Sequence, residues 1–187
     1  MKLTSILFAL SLLICSQLKL YGQDSQLSEK EIEEIKREII KRTEKQENDL
    51  TKLDYEEIMT FYAEVDDFII FGDGFYWGDY ITIDQIWKSF TEEVKENTWE
   101  FSNPKIFVFT KDIASLLVEF DHKRIKHNGE KNGGHGCFSF GMQRIDGDWK
   151  VVTMNVTHNY YSYDENATLM KEKWWINQLP ENRDKKE

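Results

Sequence analysis

The stretch RIDGDWKVVTMNVTHNY, residues 144–160, decides the fold. Asp146-Gly147 is a strong hairpin signal, because a type I′ turn needs a positive φ at both central positions. The residues that follow are rich in β-branched side chains, which favour a strand. If these two residues form the loop, Arg144 pairs with Trp149, and each later pair lies one residue further out on both strands. The sequence therefore predicts a long antiparallel hairpin.

This register predicts which side chains share a face of the hairpin. One face carries Phe138, Phe140, Met142, Trp149, Val151, Thr153 and Asn155. On the other face, His135 is predicted to lie directly opposite His158. Such a pair either binds a metal or passes a proton near neutral pH, or it is simply two half-exposed histidines at the end of a sheet. No HxH, HExxH or CxxC spacing supports a metal site, and no cofactor is expected.

Helices are predicted before the strands. A charged helix is expected at residues 28–48, with a narrow apolar stripe that lies over the domain. A short second helix begins at Asp54, and a third, in TIDQIWKSFTEEVKEN, begins at a capping box formed by Thr82 and Gln85. Between the last two, VDDFIIFGDGFYWGDY is typical of a strand, a Gly-Asp-Gly turn and a second strand.

After the third helix the pattern indicates strands only. Three of them precede the final one, in WEFSNPKIFVF, ASLLVEFDHKRIK and HGCFSFGMQRI, and Pro104 indicates an edge position or a bulge in the first. Helices grouped before an antiparallel meander predict an α+β domain with the helices on one face of the sheet. A short closing helix and a polar tail are predicted at residues 161–187.

The region from Leu50 to His158 resembles the nuclear transport factor 2-like superfamily, and within it the SnoaL-like branch. The resemblance rests on FYAEVDDFIIFGDG, IWKSF and GMQRIDGDWKVV. It implies a cone-shaped, curved antiparallel sheet wrapped around helices at residues 50–160, with a cavity at one end. An extra charged helix at residues 23–49 precedes this domain.

The superfamily includes isomerases, cyclases and dehydratases as well as proteins with no known chemistry, so the resemblance alone assigns no function. Relatives often carry histidines a few residues beyond the position of Trp149, where this chain has the stretch 151–155 without a histidine. The tyrosine and aspartate positions of the steroid isomerases also have no clear match. No catalytic residue is therefore carried over from the family.

Five side chains are candidate pocket residues: Tyr62, Asp67, Trp87, His122 and Asn155. Alternation along a strand sends Asp66 and Asp67 to opposite faces, and the apolar neighbours of Asp67 favour it as the inward residue. A carboxylate in an apolar cavity has a raised pKa and serves as a general acid or base, whereas a solvated one does not. The other four candidates also fit as ordinary residues of the core or the wall.

Residues 1–22 have the pattern of a secretory signal peptide, with Lys2 followed by an apolar run over residues 3–14. This run is shorter than the roughly 20 residues of a membrane-spanning helix. We therefore expect cleavage after Gly22, export to the periplasm or the medium, and no stable membrane insertion after processing. The net charge of −10 argues against nucleic acid as a partner.

Three functions fit these observations, and the sequence favours the first. It is an exported domain that binds a small, largely apolar molecule in its cavity without chemistry. The second is an isomerase- or cyclase-type enzyme that transfers a proton next to a carbonyl. The third is an interaction module that forms a homodimer through the outer face of the sheet. Two titratable groups around one cavity would favour the enzyme, and an exposed apolar outer face would favour the dimer.

Overall fold

A computed structural model shows an α+β domain in which helices pack into the hollow of a curved, open sheet of six strands. The structure describes residues 27–162, with side chains through residue 159. The predicted signal peptide and the segment after residue 162 lie outside this range. The helices are α1 (Glu29–Lys52), α2 (Tyr55–Met59) and α3 (Tyr80–Glu93). The strands are β1 (Ile69–Gly72), β2 (Phe75–Gly78), β3 (Val94–Val108), β4 (Ile113–Lys126), β5 (Lys131–Ile145) and β6 (Asp148–Ser162).

Helix α1 begins at a capping box between Ser28 and Glu31 and runs through residue 49, where the sequence predicts a domain boundary. Its first half is charged and mostly exposed, and the predicted apolar stripe is buried at Ile35 and Ile39. Its second half forms a wall of the core, where Gln46 and Leu50 are buried. The helix therefore precedes the sheet but also belongs to the fold. Neither it nor any other helix within residues 27–162 is long and apolar enough to cross a membrane.

Helix α3 lies across the hollow of the sheet. Its N-cap is Asp79, whose carboxylate accepts a hydrogen bond of 3.1 Å from the backbone N–H of Thr82. The predicted start at a Thr82–Gln85 capping box is therefore wrong, because Thr82 is the third helical residue and not the cap. The predicted buried face is confirmed, with Ile83 and Trp87 buried and with Ile86 and Phe90 partly buried against the core.

The strand order across the sheet is β2-β1-β6-β5-β4-β3. Strands β3 to β6 form the predicted antiparallel meander, whereas β1 lies parallel to β6. Strand β3 is an edge strand and has an irregular register between Ser102 and Lys105, so both expectations from Pro104 are confirmed. The concave face carries the predicted apolar side chains Phe138, Phe140, Met142, Trp149 and Val151, all buried.

The final hairpin turns on Asp146-Gly147, with φ angles of 53° and 89°. Arg144 pairs with Trp149, as predicted. The register then shifts by one residue beyond Met142 and Val151, so that Gly141 pairs with Thr153. As a result, His158 lies opposite Gly136, and His135 lies opposite Asn159. The predicted pairing of His135 with His158 is therefore wrong, together with the histidine pair that depended on it.

The shift places one extra residue, Val152, in β6, which is a β-bulge. The bulge coincides with a change of neighbour along β6, since Val151 bridges to Tyr62 while Thr153 pairs with Ile69 of β1. Such a bulge bends the strand, as a curved sheet requires. It also exchanges the two faces of the strand, because side chains alternate with a period of two residues. Beyond the bulge, Met154 and Val156 point inward, and Thr153 and Asn155 are exposed.

Candidate functional site

Helix α3 and the concave face of the sheet surround a small, mostly aromatic cavity of about 110 Å³. Its walls are formed by Trp77, Ile83, Ile86, Trp87, Phe90, Trp99, His122, Arg124, Phe138, Met154 and His158. It shares Ile86, Phe90 and Arg124 with an open groove on the outer side of α3, which is lined partly by Thr82, Gln85 and Ser89. A cavity of this kind accepts an apolar ligand and leaves few groups to orient it.

His158 in this wall is paired with Asp73, which lies outside the cavity lining. Asp73 Oδ1 accepts a hydrogen bond of 2.7 Å from the backbone N–H of His158, and Asp73 Oδ2 lies 3.5 Å from Nδ1 of the same histidine. The carboxylate is thus held by the main chain while it faces the ring. The side chain of His158 is only 11% exposed. This arrangement favours the tautomer with its proton on Nδ1, which leaves the lone pair on Nε2.

The position of Asp73 follows from a second Asp-Gly turn. Asp73 and Gly74 connect β1 to β2 with φ angles of 51° and 87°. Because β1 lies parallel to β6, the end of β1 comes next to the inward-facing part of β6, and the backbone N–H of Asp73 donates to the carbonyl of Val156 at 2.9 Å. The turn therefore places the carboxylate beside His158.

Trp77 of β2 fixes the other side of His158. The two rings are nearly parallel, with an interplanar angle of 8° and centroids 6.0 Å apart. The indole lies across Gly72, where a Cβ atom would come within 2.1 Å of Trp77 Cζ2. Glycine at this position therefore makes room for the ring that packs against the histidine.

His122 is the second histidine of the cavity. It is 3% exposed and stacks on Trp99, with ring centroids 4.5 Å apart. Burial lowers its pKa to about 3, and the charges of Arg124 and His158 act in the same direction. Burial also lowers the pKa of His158 below its usual range, although Asp73 partly opposes this effect. Both histidines are therefore neutral at pH 7.

The structure brings only part of the predicted site together. Trp87 and His122 line the cavity. Tyr62 is buried behind it against Trp87, with ring centroids 6.4 Å apart, and burial raises its pKa. Asp67 and Asn155 are both exposed and lie away from the cavity wall.

The predicted inward positions of Asp67 and Asn155 are wrong for two physical reasons. Residues 66–67 form a turn, and β1 begins only at Ile69, so strand alternation does not apply to the aspartates. The bulge in β6 sends Asn155 to the outer face. The apolar face assigned to Asp67 is also the outer one, since Ile69 and Phe71 are 40% and 45% exposed.

Sequence reasoning missed Asp73, Trp77, Trp99 and Arg124, and it singled out His158 only as one of a pair with His135. Only the Gly-Asp-Gly turn contained a usable signal, because a turn between two strands presents its aspartate at the edge of the sheet. His158 was assigned to the opposite face by the uninterrupted register. Among residues 27–159, no three His, Cys, Asp or Glu side chains are grouped in a way that could hold a metal ion.

Comparison with known structures agrees with this architecture. A scytalone dehydratase-like protein from Novosphingobium aromaticivorans DSM 12444 superimposes with a TM-score of 0.65 at 13% identity, covering 75% of this chain and 95% of that one. The hexachlorocyclohexane dehydrochlorinase LinA-type3 from Novosphingobium barchaimii LL02 superimposes with a TM-score of 0.60 at 12% identity, covering 75% of this chain and 97% of that one. A nuclear transport factor 2-like protein from Salmonella enterica serovar Typhimurium LT2 superimposes with a TM-score of 0.60 at 13% identity, covering 73% of this chain and 99% of that one.

No curated protein gives a significant match to the sequence. At identities of 12–13%, the structural similarity establishes the fold and leaves the activity open. The model of the SnoaL-like domain family, however, matches residues 43–156, which include both Asp-Gly turns and most of the cavity wall. The chain therefore belongs to the SnoaL-like domain family, with the nuclear transport factor 2-like fold.

Proposed function

We propose that this protein is an acid–base enzyme that removes a proton from a carbon atom of a small, largely apolar substrate. The observation that carries this proposal is that His158, paired with Asp73, lies in the wall of an aromatic cavity together with His122. The sequence alone favours a binding protein without chemistry. Two titratable side chains around one small cavity favour an enzyme instead, because a simple apolar binding site gains nothing from them.

His158 is the proposed general base. Since Asp73 faces Nδ1, the unprotonated Nε2 takes the proton from the carbon next to a carbonyl group. The electron pair of the broken C–H bond forms the carbon–carbon double bond of an enolate, and the carbonyl oxygen takes the negative charge. Return of the proton at another carbon gives an isomer, whereas loss of a leaving group gives an elimination product.

The names of the structural neighbours support the elimination branch. A dehydratase removes water and a dehydrochlorinase removes hydrogen chloride, and both reactions take a proton from carbon. A cavity of about 110 Å³ with aromatic walls suits a substrate of about the size of a single six-membered ring. Binding of such a molecule is the first step of the proposed reaction.

Two measurements test the proposal. Nitrogen-15 NMR should show His158 neutral at pH 7 with its proton on Nδ1, since both ring nitrogens have characteristic shifts. In D₂O, the wild-type protein should accelerate deuterium uptake at the α-carbon of small aryl ketones, and His158→Gln should lose about 10²- to 10⁴-fold of that rate. Equal rates for the two proteins would contradict the assignment of the base.

We also propose that the outer face of the sheet forms a homodimer. Exposed apolar side chains on this face support the proposal, since Ile69, Phe71 and Tyr76 lie at one edge and are 40%, 45% and 63% exposed. Phe71→Glu should shift the molar mass measured by light scattering from dimer to monomer. Lys88→Glu on the exposed side of α3 is the control and should leave it unchanged. A wild-type monomer would contradict the proposal.

We further propose export through residues 1–22. Support comes from the short apolar run after Lys2, which suits a cleaved signal and is too short for a membrane-spanning helix. Mass spectrometry of the exported protein should find a chain that begins at or near Gln23. A diacylglyceryl group on Cys15 would instead establish a lipoprotein anchor.

A further inference from the structure

Arg124 is the one permanently charged side chain in the described wall of the cavity. It lies on β4, two residues beyond His122, and its guanidinium carbon is 5.5 Å from the centre of the Phe90 ring. Nε donates to Oδ1 of Asn132. The side chain is thus held from two sides, by stacking and by a neutral hydrogen-bond acceptor. It is positioned before any ligand arrives.

The charge of Arg124 has no carboxylate partner among residues 27–159, and no acidic side chain lines the described cavity. The next cation on the same strand differs in this respect. Nζ of Lys126 lies 3.3 Å from Glu93 and 3.5 Å from Glu130. The chain has a net charge of −10 and therefore many acidic side chains that could have paired with this guanidinium. A partly buried charge without a counter-charge costs free energy, and the negative charge of a ligand would offset that cost.

We propose that Arg124 determines the substrate class of the cavity by binding the carboxylate of a small aromatic or alicyclic acid. Because Nε is occupied by Asn132, the two terminal nitrogens remain for the ligand, and they match the two oxygens of one carboxylate. A single cation suits a monoanion better than a phosphate dianion. The volume of about 110 Å³ limits the apolar part to roughly one ring.

This inference rests on the proposed function, because it names the substrate class of the same cavity. It adds a positioning role for Arg124, which holds the acid at one point of the wall while His158 acts at another. The same charge also disfavours the protonated form of both histidines, and so it keeps His158 available as a base. Arg124 itself takes no part in the proton transfer.

Benzoate and its neutral isostere benzamide test the inference by NMR titration at about pH 7.5, where both histidines are neutral. The indole N–H signals of Trp77, Trp87 and Trp99 report binding inside the cavity. Benzoate should bind the wild-type protein about tenfold more tightly than benzamide, as expected for a charge-assisted hydrogen bond. Equal dissociation constants, or no benzoate-induced shift of these signals, would overturn the proposal.

Variants distinguish a direct contact between benzoate and the Arg124 guanidinium from the general electrostatic field of the protein. Arg124→Gln should lose the preference for benzoate, and Arg124→Lys should keep part of it. Lys126→Gln removes the same charge two residues away and should keep the whole preference. His158→Gln should keep the preference while it loses proton transfer. If the preference survives in Arg124→Gln, the inference is wrong, whereas His158 remains testable as the base by deuterium exchange.

Discussion

Two Asp-Gly turns of this protein have the same backbone and different surroundings. Asp73-Gly74 has φ angles of 51° and 87°, and Asp146-Gly147 has 53° and 89°. The carboxylate of Asp146 is exposed and has no hydrogen bond to another residue within 27–159. The carboxylate of Asp73 accepts the backbone N–H of His158 and faces its ring. Identical turn chemistry therefore gives a simple loop in one place and part of a site in the other.

The difference arises from the strands next to each turn. The turn at Asp146 connects two neighbouring strands at the end of the hairpin, where Asp146 and Gly147 are both exposed. The turn at Asp73 ends a strand that lies parallel to β6, beyond the bulge at Val152. Because of the bulge, His158 faces inward, where its ring lies beside the carboxylate of Asp73.

The largest expected effect is that of shifting β6 by one residue beyond the bulge. Insertion of one alanine between Thr153 and Met154 turns Met154 and Val156 out of the core and His158 away from Asp73, because side chains alternate between the two faces of a strand. Exposure of the two apolar side chains should lower the free energy of unfolding by about 3–6 kcal/mol, measured by urea denaturation. Deletion of Val152 removes only the extra residue, keeps Thr153 opposite Gly141 and Met154 opposite Phe140, and should cost much less. Equal stability of the insertion variant and the wild type would contradict this assignment of the inward positions.

The comparison predicts a matched pair of substitutions at the two aspartates. Asn-Gly also favours a type I′ turn, so Asp73→Asn and Asp146→Asn should each change stability by no more than about 0.5 kcal/mol. Asp73→Asn alone should slow deuterium exchange by about 10²-fold and shift the proton between the ring nitrogens of His158. A similar loss of rate in both variants would show that the turns do not differ in function.

The loss of folding stability at low pH should come from His122 in the cavity and not from the Asp146-Gly147 turn. The unfolded chain binds a proton at His122 with a pKa near 6.5, whereas the folded chain does so only near 3. Stability is therefore fully present above about pH 6.5 and decreases by about 1.4 kcal/mol per pH unit below it. His122→Phe retains a ring to stack on Trp99 and should flatten this dependence.

Urea denaturation at several pH values measures the effect. His158 also faces His122 and has a lowered pKa, so part of the slope should remain in the variant. Arg124, the other charged side chain beside His122, is present in both proteins and so does not account for a difference between them. An unchanged slope in His122→Phe would contradict the neutral, buried state of this histidine.

A moderate effect on stability is expected at the two glycines of the turns. A Cβ added to Gly74 or Gly147 would meet no atom within 4 Å, so the cost is only that of the left-handed backbone. Gly74→Ala and Gly147→Ala should each lower the free energy of unfolding by about 1–2 kcal/mol, measured by thermal melting. Only Gly74→Ala should also reduce deuterium exchange. If it does not, the precise shape of the Asp73-Gly74 turn is irrelevant to the activity of His158.

Local sequence signals were sufficient to predict those elements that depend on residues close together in the chain. Asp146-Gly147 determined its turn because few residues tolerate two positive φ angles in succession. The spacing of Ile83, Trp87 and Phe90 determined the buried face of α3, since a helix repeats every 3.6 residues. Pro104 marked an edge strand because it lacks a backbone donor. The antiparallel meander and the family resemblance followed from these signals.

Only the tertiary structure decided which side chains face the cavity. The bulge at Val152 has no mark in the sequence, because it forms where β6 exchanges one neighbour for another. A single inserted residue reverses every side chain beyond it, so Asn155 moved outward and His158 moved inward. The pairing of Asp73 with His158 joins residues far apart in the chain through the parallel contact of β1 with β6. The sequence thus determined the strands, and their packing against one another determined the site.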